Sequence, residues 1–225
     1  MSLQSLIFNT APFALIPPAI MAVVLLRNSN ITFRILSIHI LISSVTEFSA
    51  TLLWSLKINN IFLLHIYTLE EFALLSWFYA TIITGRSWKI FFRGCLITFT
   101  ILTLLNSLFL QPITVNNTYA RGLESLLCMI YAIICFHKLI NNTPAISKPY
   151  HNSLLLINSG VLIYFTSSCL LFTLSNYLRK PEFTDARMML WTCHAFFSTV
   201  YYLLLFFGLW TIWKSKSYTS YSPVQ

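Results

Sequence analysis

Residues 152–176, NSLLLINSGVLIYFTSSCLLFTLSN, run for 25 positions without a single charged side chain. A helix advances about 1.5 Å per residue, so this stretch reaches across a hydrocarbon core roughly 30 Å thick, for which about 20 mainly apolar residues suffice. Lipid offers no water to the backbone, and a spanning segment of this kind must therefore satisfy its own N–H and C=O groups as a helix.

Working outward from this stretch, six further apolar runs of similar length occupy residues 6–26, 35–57, 61–84, 90–110, 119–140 and 188–213. The composition agrees: 57% of the residues are hydrophobic and 9% charged, with a mean hydropathy of +0.73, which excludes an ordinary soluble domain. The sequence predicts an all-α fold, a seven-transmembrane-helix bundle forming one membrane domain over residues 1–225, with residues 214–225 a short tail. The connections are too short to hold a folded loop domain. No Lys or Arg precedes Leu6, so the first run reads as a retained helix and not as a signal peptide with a basic start.

Orientation follows from basic residues, which stay with the cytoplasmic loops. One set of connections, with the C-terminal tail, holds Arg27, Arg34, Arg86, Lys89, Arg93, Lys138, Lys148, Lys214 and Lys216; the other holds Lys57, Arg121, Arg179, Lys180 and Arg187, diluted by Glu182 and Asp185. This asymmetry predicts an outside N-terminus and a cytoplasmic C-terminus in the cell membrane. It also accounts for the net charge of +8 by attraction to anionic headgroups, and no nucleic-acid partner is expected. Trp54, Trp88, Trp191, Trp210 and Trp213 fall near predicted helix ends, where the amphipathic ring prefers the interface, and Trp77 alone falls near mid-span. The five cysteines lie inside helices without CxxC spacing, which predicts neither a disulfide framework nor a zinc knuckle. Pro12, Pro17 and Pro18 single out the first helix as the one expected to kink.

Four of the six carboxylates, Glu47, Glu70, Glu71 and Glu124, fall inside predicted spans. A charge at the bilayer centre costs at least about 2.5–3.5 kcal/mol, so such residues turn inward, find partners and often mark a site; interhelical polar contacts that only hold a bundle together are the plainer alternative. Helical spacing groups Arg121, Glu124, Cys128, Tyr131 and Cys135 into one stripe, His39, Ser43, Glu47 and Thr51 into a second, and His194, Ser198, Tyr201 and Leu205 into a third. Of the adjacent acids in the third helix, Glu71 lies nearer the arc of His65, Thr68 and Tyr79 and is the one predicted to face the interior. Counting about 1.5 Å per residue puts His65, Arg121, Glu124 and His194 roughly 6–9 Å below the outer surface and Glu47 and Glu71 about 15 Å down. That distribution predicts a polar cavity opening outward between the helices.

The strings HIYTLEEF (65–72), ARGLESLL (120–127) and INSGVLIYFTSSCLLFTLSN (157–176), with the His194-bearing last helix, resemble a family of small, uncharacterised seven-helix bacterial membrane proteins, some encoded near sensor histidine kinases. The resemblance covers nearly the whole chain and brings no established activity with it. It implies that Glu71, Arg121, Glu124, Asn158, Gly160, Tyr164 and His194 occupy recurring motif positions.

The functional expectation is a receptor- or sensor-like protein whose outward pocket binds a small molecule or lipid, with membrane lipids and a membrane signalling protein as further partners. Candidate ligand-binding residues are Glu47, His65, Glu71, Arg121, Glu124, Asn158, Tyr164, His194 and Tyr201; no catalytic residue, metal or cofactor is assigned. The last run contains no Lys for a retinal Schiff base, and the Asp-Arg-Tyr and Asn-Pro-x-x-Tyr signatures of eukaryotic G-protein-coupled receptors are absent. A small transporter is one alternative, disfavoured by only five glycines in the chain, since carriers commonly break helices near the midplane. An intramembrane metal-dependent lipid hydrolase is another, with His65, His194, Glu71 and Glu124 as the right ligand types for zinc, although nothing resembles a nucleophile elbow.

Overall fold

A computed structural model describes residues 7, 10–141, 147–175, 177–179 and 181–219. The described residues are helical without strands, and seven helices are long and apolar enough to cross a membrane. They are α1 (Ile16–Asn28, entered through a 3-10 turn at Ala11–Leu15), α2 (Ile31–Ser55), α3 (Ile61–Ile82), α4 (Arg86–Leu105), α5 (Thr118–Asn141), α6 (Lys148–Ser175) and α7 (Thr184–Thr219). The start of the predicted first run, at residues 6, 8 and 9, lies outside the described residues.

Four helices begin four residues earlier than apolarity predicts. Their opening tetrads, ITFR in α2, RSWK in α4, KPYH in α6 and TDAR in α7, are polar or mixed, so hydropathy misses them. A helix satisfies its backbone regardless of side-chain polarity and continues into the interface. At α2 the cap is explicit, since the Asn30 side chain accepts from the Phe33 N–H at 3.2 Å. The prolines stand where the first span changes its helix type: Pro12 lies in the first turn of the 3-10 segment and Pro17 in the first turn of α1, where a missing N–H removes no helical hydrogen bond. Past Leu105, α4 continues as a π-helical turn at Asn106–Leu110, closed by Gln111 N–H donating to Asn106 C=O at 2.7 Å.

The helices α1, α2, α3, α5, α6 and α7 pack in a closed ring, each against the next, with α1 returning to α7. The helix α4 stands outside this ring against α3 and contributes little to the core; within it only Phe92, Phe99 and Thr103 are buried. The close approach of α6 and α7 depends on two glycines. A Cβ at Gly208 would sit 2.6 Å from Ile157 Cγ1, and one at Gly160 would sit 3.1 Å from Tyr201 Cδ2, and the Ser153 hydroxyl bonds the Gly208 carbonyl at 2.7 Å. Small residues of this kind let helix backbones meet where lipid supplies no hydrophobic drive. Deeper in the ring, Asn158 of α6 accepts from the Tyr79 hydroxyl of α3 at 2.8 Å and donates to the Ala132 carbonyl of α5 at 2.9 Å. The outer surface is apolar, with Val23, Phe48, Ile97, Phe109, Ile133 and Phe207 among its exposed side chains, as lipid contact requires. All five cysteines are free, with Cys128 and Cys135 buried.

Candidate functional site

The charge of Arg121 organises the interior. One turn into α5, Arg121 is 3% exposed, a burial that is costly unless the charge is paired and bonded. Nη1 donates to Glu71 of α3 and, at 2.9 Å, to Glu124 three residues along α5; Nη2 donates to the Tyr164 hydroxyl of α6 at 3.0 Å. The rings of Phe172 and Tyr67 lie 5.2 and 5.6 Å from its central carbon, within cation–π range. The Tyr67 hydroxyl donates to the other Glu71 oxygen at 2.9 Å and lies 3.0 Å from Ser43 Oγ of α2. Three helices thus meet on one cation, and Ser43 brings in α2 through Tyr67. Glu71 and Glu124 share the same nitrogen, so the i,i+3 pair within α5 is joined to α3.

A second chain of acids adjoins it. His39 of α2 lies 3.7 Å from a Glu70 oxygen through Nδ1 and 4.0 Å from a Glu71 oxygen through Nε2. Both Glu70 oxygens are buried without a hydrogen-bond partner. The expectation that Glu71 is the inward acid holds, as Glu71 is fully buried, but its neighbour is not surrendered to lipid either, because His39 draws it to the α2–α3 seam.

Above the Arg121 network lies a cavity of about 310 Å³, lined on one side by Ser43, Thr46 and Glu47 of α2 and on the other by Trp191, His194 and Tyr202 of α7. Arg121, Tyr67 and Tyr164 form its floor, and it extends to Asn60 and Asn116 in the connections α2–α3 and α4–α5. It therefore belongs to the end of the bundle opposite Arg86, Lys89 and Lys138. The His194 ring is fixed by Ser167 Oγ at 3.2 Å from Nδ1 and packs 5.5 Å from the Tyr164 ring. Glu47 differs from the other intramembrane acids: it is exposed, lines the cavity and has no ion-pair partner among the described residues.

Of the residues predicted to form the site, Glu47, Arg121, Tyr164 and His194 line this cavity, and Glu71 and Glu124 stand directly behind Arg121. Three do not reach it. His65 turns to the α4–α5 connection, 2.8 Å from Ser107 Oγ and 3.0 Å from the Val115 carbonyl, next to a buried cluster in which Asn106 donates to Gln111 and Asn117. Asn158 serves the interhelical clamp already described. Tyr201 stacks on Tyr164 at 4.8 Å, supporting the floor from behind. Tyr67, Trp191 and Tyr202 were not among the residues predicted to form the site; Tyr67 was accessible in principle, because it precedes Glu71 by the four residues that align side chains on one helix face.

With His65 and His194 in different networks, the four ligand types considered for zinc are not assembled, and among the described residues no three His, Cys, Asp or Glu side chains are grouped to hold a metal. Comparison with protein-family models, with curated proteins and with solved structures finds no match, and the chemistry of the cavity is read from its own residues.

Proposed function

We propose that this chain is a receptor-like membrane protein whose cavity opens to the outside and binds a small organic molecule carrying a cationic group. The observation that carries the reading is Glu47, an unpaired carboxylate facing a cavity walled by Trp191, Tyr164 and Tyr202. A carboxylate beside aromatic faces recognises an ammonium ion through charge and cation–π attraction together. The wider surroundings favour the same sign, since Glu47, Glu70, Glu71 and Glu124 are opposed by the single guanidinium of Arg121. At about 310 Å³ the cavity lies at the lower end of the range for small-molecule sites. The outside placement rests on the distribution of Lys and Arg, which puts the basic end in the cytoplasm.

A ligand between Glu47 of α2 and His194 of α7 has direct leverage on the α2–α7 spacing. Arg121 beneath it joins α3, α5 and α6, so a change in that spacing alters contacts on several helices at once, as a two-state receptor needs. The test is thermal stabilisation of the purified protein by tyramine and by tetramethylammonium, with neutral isosteres of each as controls. Saturable stabilisation by the cations that is lost in Glu47→Gln supports the proposal; equal effects of cations and isosteres contradict it.

A transporter remains the second reading, favoured by Glu70 and His39, a buried acid and imidazole 3.7 Å apart of the type that relays protons in pumps. Reconstituted vesicles that accumulate a bound cation against a proton gradient, and lose this in Glu70→Gln, favour it over the receptor.

A further inference from the structure

A second concavity lies at the basic end, between α3 and α4, and is unconnected with the site above. It measures about 560 Å³ and is lined on α3 by Ala73, Ser76, Trp77 and Ala80 and on α4 by Lys89, Phe92, Arg93 and Leu96. Small side chains on α3 leave the gap, because α4 is held off at deeper levels by aromatic contacts such as Phe72 against Phe99, 4.2 Å between ring centres. From Thr84 to Ala73 the groove runs about 16 Å along the helix axis, from the bundle end into the apolar zone.

We infer that this groove binds an anionic membrane phospholipid, its phosphate held by Lys89 and Arg93 and one acyl chain lying past Trp77 toward Ala73 and Leu96. Charge carries the assignment. Lys89 and Arg93 stand one turn apart on one face of α4, exposed, and neither has an ion-pair partner among the described residues. None is within reach in the chain: all six acidic residues, Glu47, Glu70, Glu71, Glu124, Glu182 and Asp185, lie at mid-depth or toward the opposite end. The nearby hydroxyls of Thr81 and Thr84 also line the groove. The apolar length below the two cations suits an acyl chain and not a free anion. It also explains Trp77, which sequence places away from the interface and which is 52% exposed at the groove edge, where an indole packs against an ordered chain. Basic pockets between membrane helices on the cytoplasmic side are known binders of anionic headgroups.

The test uses the full-length protein in detergent, titrated with phosphatidylglycerol, phosphatidylcholine or glycerol 3-phosphate, with thermal unfolding and native mass spectrometry as readouts. Phosphatidylglycerol is expected to stabilise and to displace phosphatidylcholine in direct competition, a result that needs no variant. Each cation is worth about fivefold in affinity for an anionic headgroup, so Lys89→Gln with Arg93→Gln should weaken phosphatidylglycerol binding roughly thirtyfold. Ala80→Leu, which fills the groove and leaves its charge, should weaken it too, whereas Arg27→Gln with Lys148→Gln, elsewhere on the basic end, should not. Equal binding of the two lipids, an unaltered titration in the groove variants, or equal stabilisation by glycerol 3-phosphate would overturn the inference.

Discussion

The Arg121 guanidinium of α5 is bonded to the Glu71 carboxylate of α3 across 50 positions of sequence, and the same nitrogen bonds Glu124. The bundle is therefore cross-linked at its acidic end by one cation that three neighbouring helices share, Tyr164 of α6 being the third contact.

Removing that cation strands two buried carboxylates. Arg121→Ala is expected to destabilise the protein by about 3–5 kcal/mol, the cost of breaking a buried pair from one side. Arg121→Lys should recover only part of this, because an ammonium cannot span Glu71, Glu124 and Tyr164 with the geometry of a planar fork. Thermal unfolding in one fixed detergent measures both, and an Arg121→Ala protein as stable as the parent would show that the network contributes nothing.

The Tyr79–Asn158 bond lies deeper and involves no charge. Tyr79→Phe should cost about 0.6 kcal/mol, the usual value of an interhelical bond in a membrane. Asn158→Leu should cost more, since it also releases the Ala132 carbonyl. In a double-mutant cycle the two changes should be clearly non-additive; strict additivity would mean that the bond does not form.

At Gly208 the space is too small for even a methyl group, with Ile157 Cγ1 2.6 Å from where it would lie. Gly208→Ala is expected to push α7 from α6 at a cost of about 1–3 kcal/mol, typical of overpacking, and Ile157→Ala in the same chain should relieve part of it. Gly94, whose added Cβ meets nothing within 4 Å, is the control: Gly94→Ala should be neutral or mildly stabilising, as Ala is the better helix former by roughly 1 kcal/mol.

Glu47 separates site from scaffold. Because it has no ion-pair partner among the described residues, Glu47→Gln should alter stability by less than about 0.5 kcal/mol while abolishing the response to cationic ligands. A loss of stability approaching that of Arg121→Ala would assign Glu47 to the scaffold.

The seven helices were legible because lipid makes two demands that sequence cannot hide, length and apolarity, and the inward direction of Glu71 and Glu124 followed from the cost of the alternative. The division of polar residues between cavity and scaffold was not. His65 has the same spacing as the interior arc of α3, yet its partners are the Ser107 hydroxyl, carried by the π-helical turn at Asn106–Leu110, and the Val115 carbonyl in the α4–α5 connection, neither of which periodicity announces. Asn158 faces the interior, but its depth relative to Tyr79 and Ala132 depends on how far α6 slides along α3 and α5. Glu70 was passed over in favour of Glu71 because its neighbour His39, 3.7 Å away, stands on another helix.

Labelling of Thr46→Cys in a chain lacking the five native cysteines tests the central claim most directly, since Thr46 lines the cavity beside Glu47. An impermeant maleimide added to intact cells should react at position 46, a saturating cationic ligand such as tyramine should slow the reaction, and Glu47→Gln should remove that protection. Failure to label from outside, or a labelling rate that tyramine leaves unchanged, would contradict an outward-facing cavity that binds cations through Glu47.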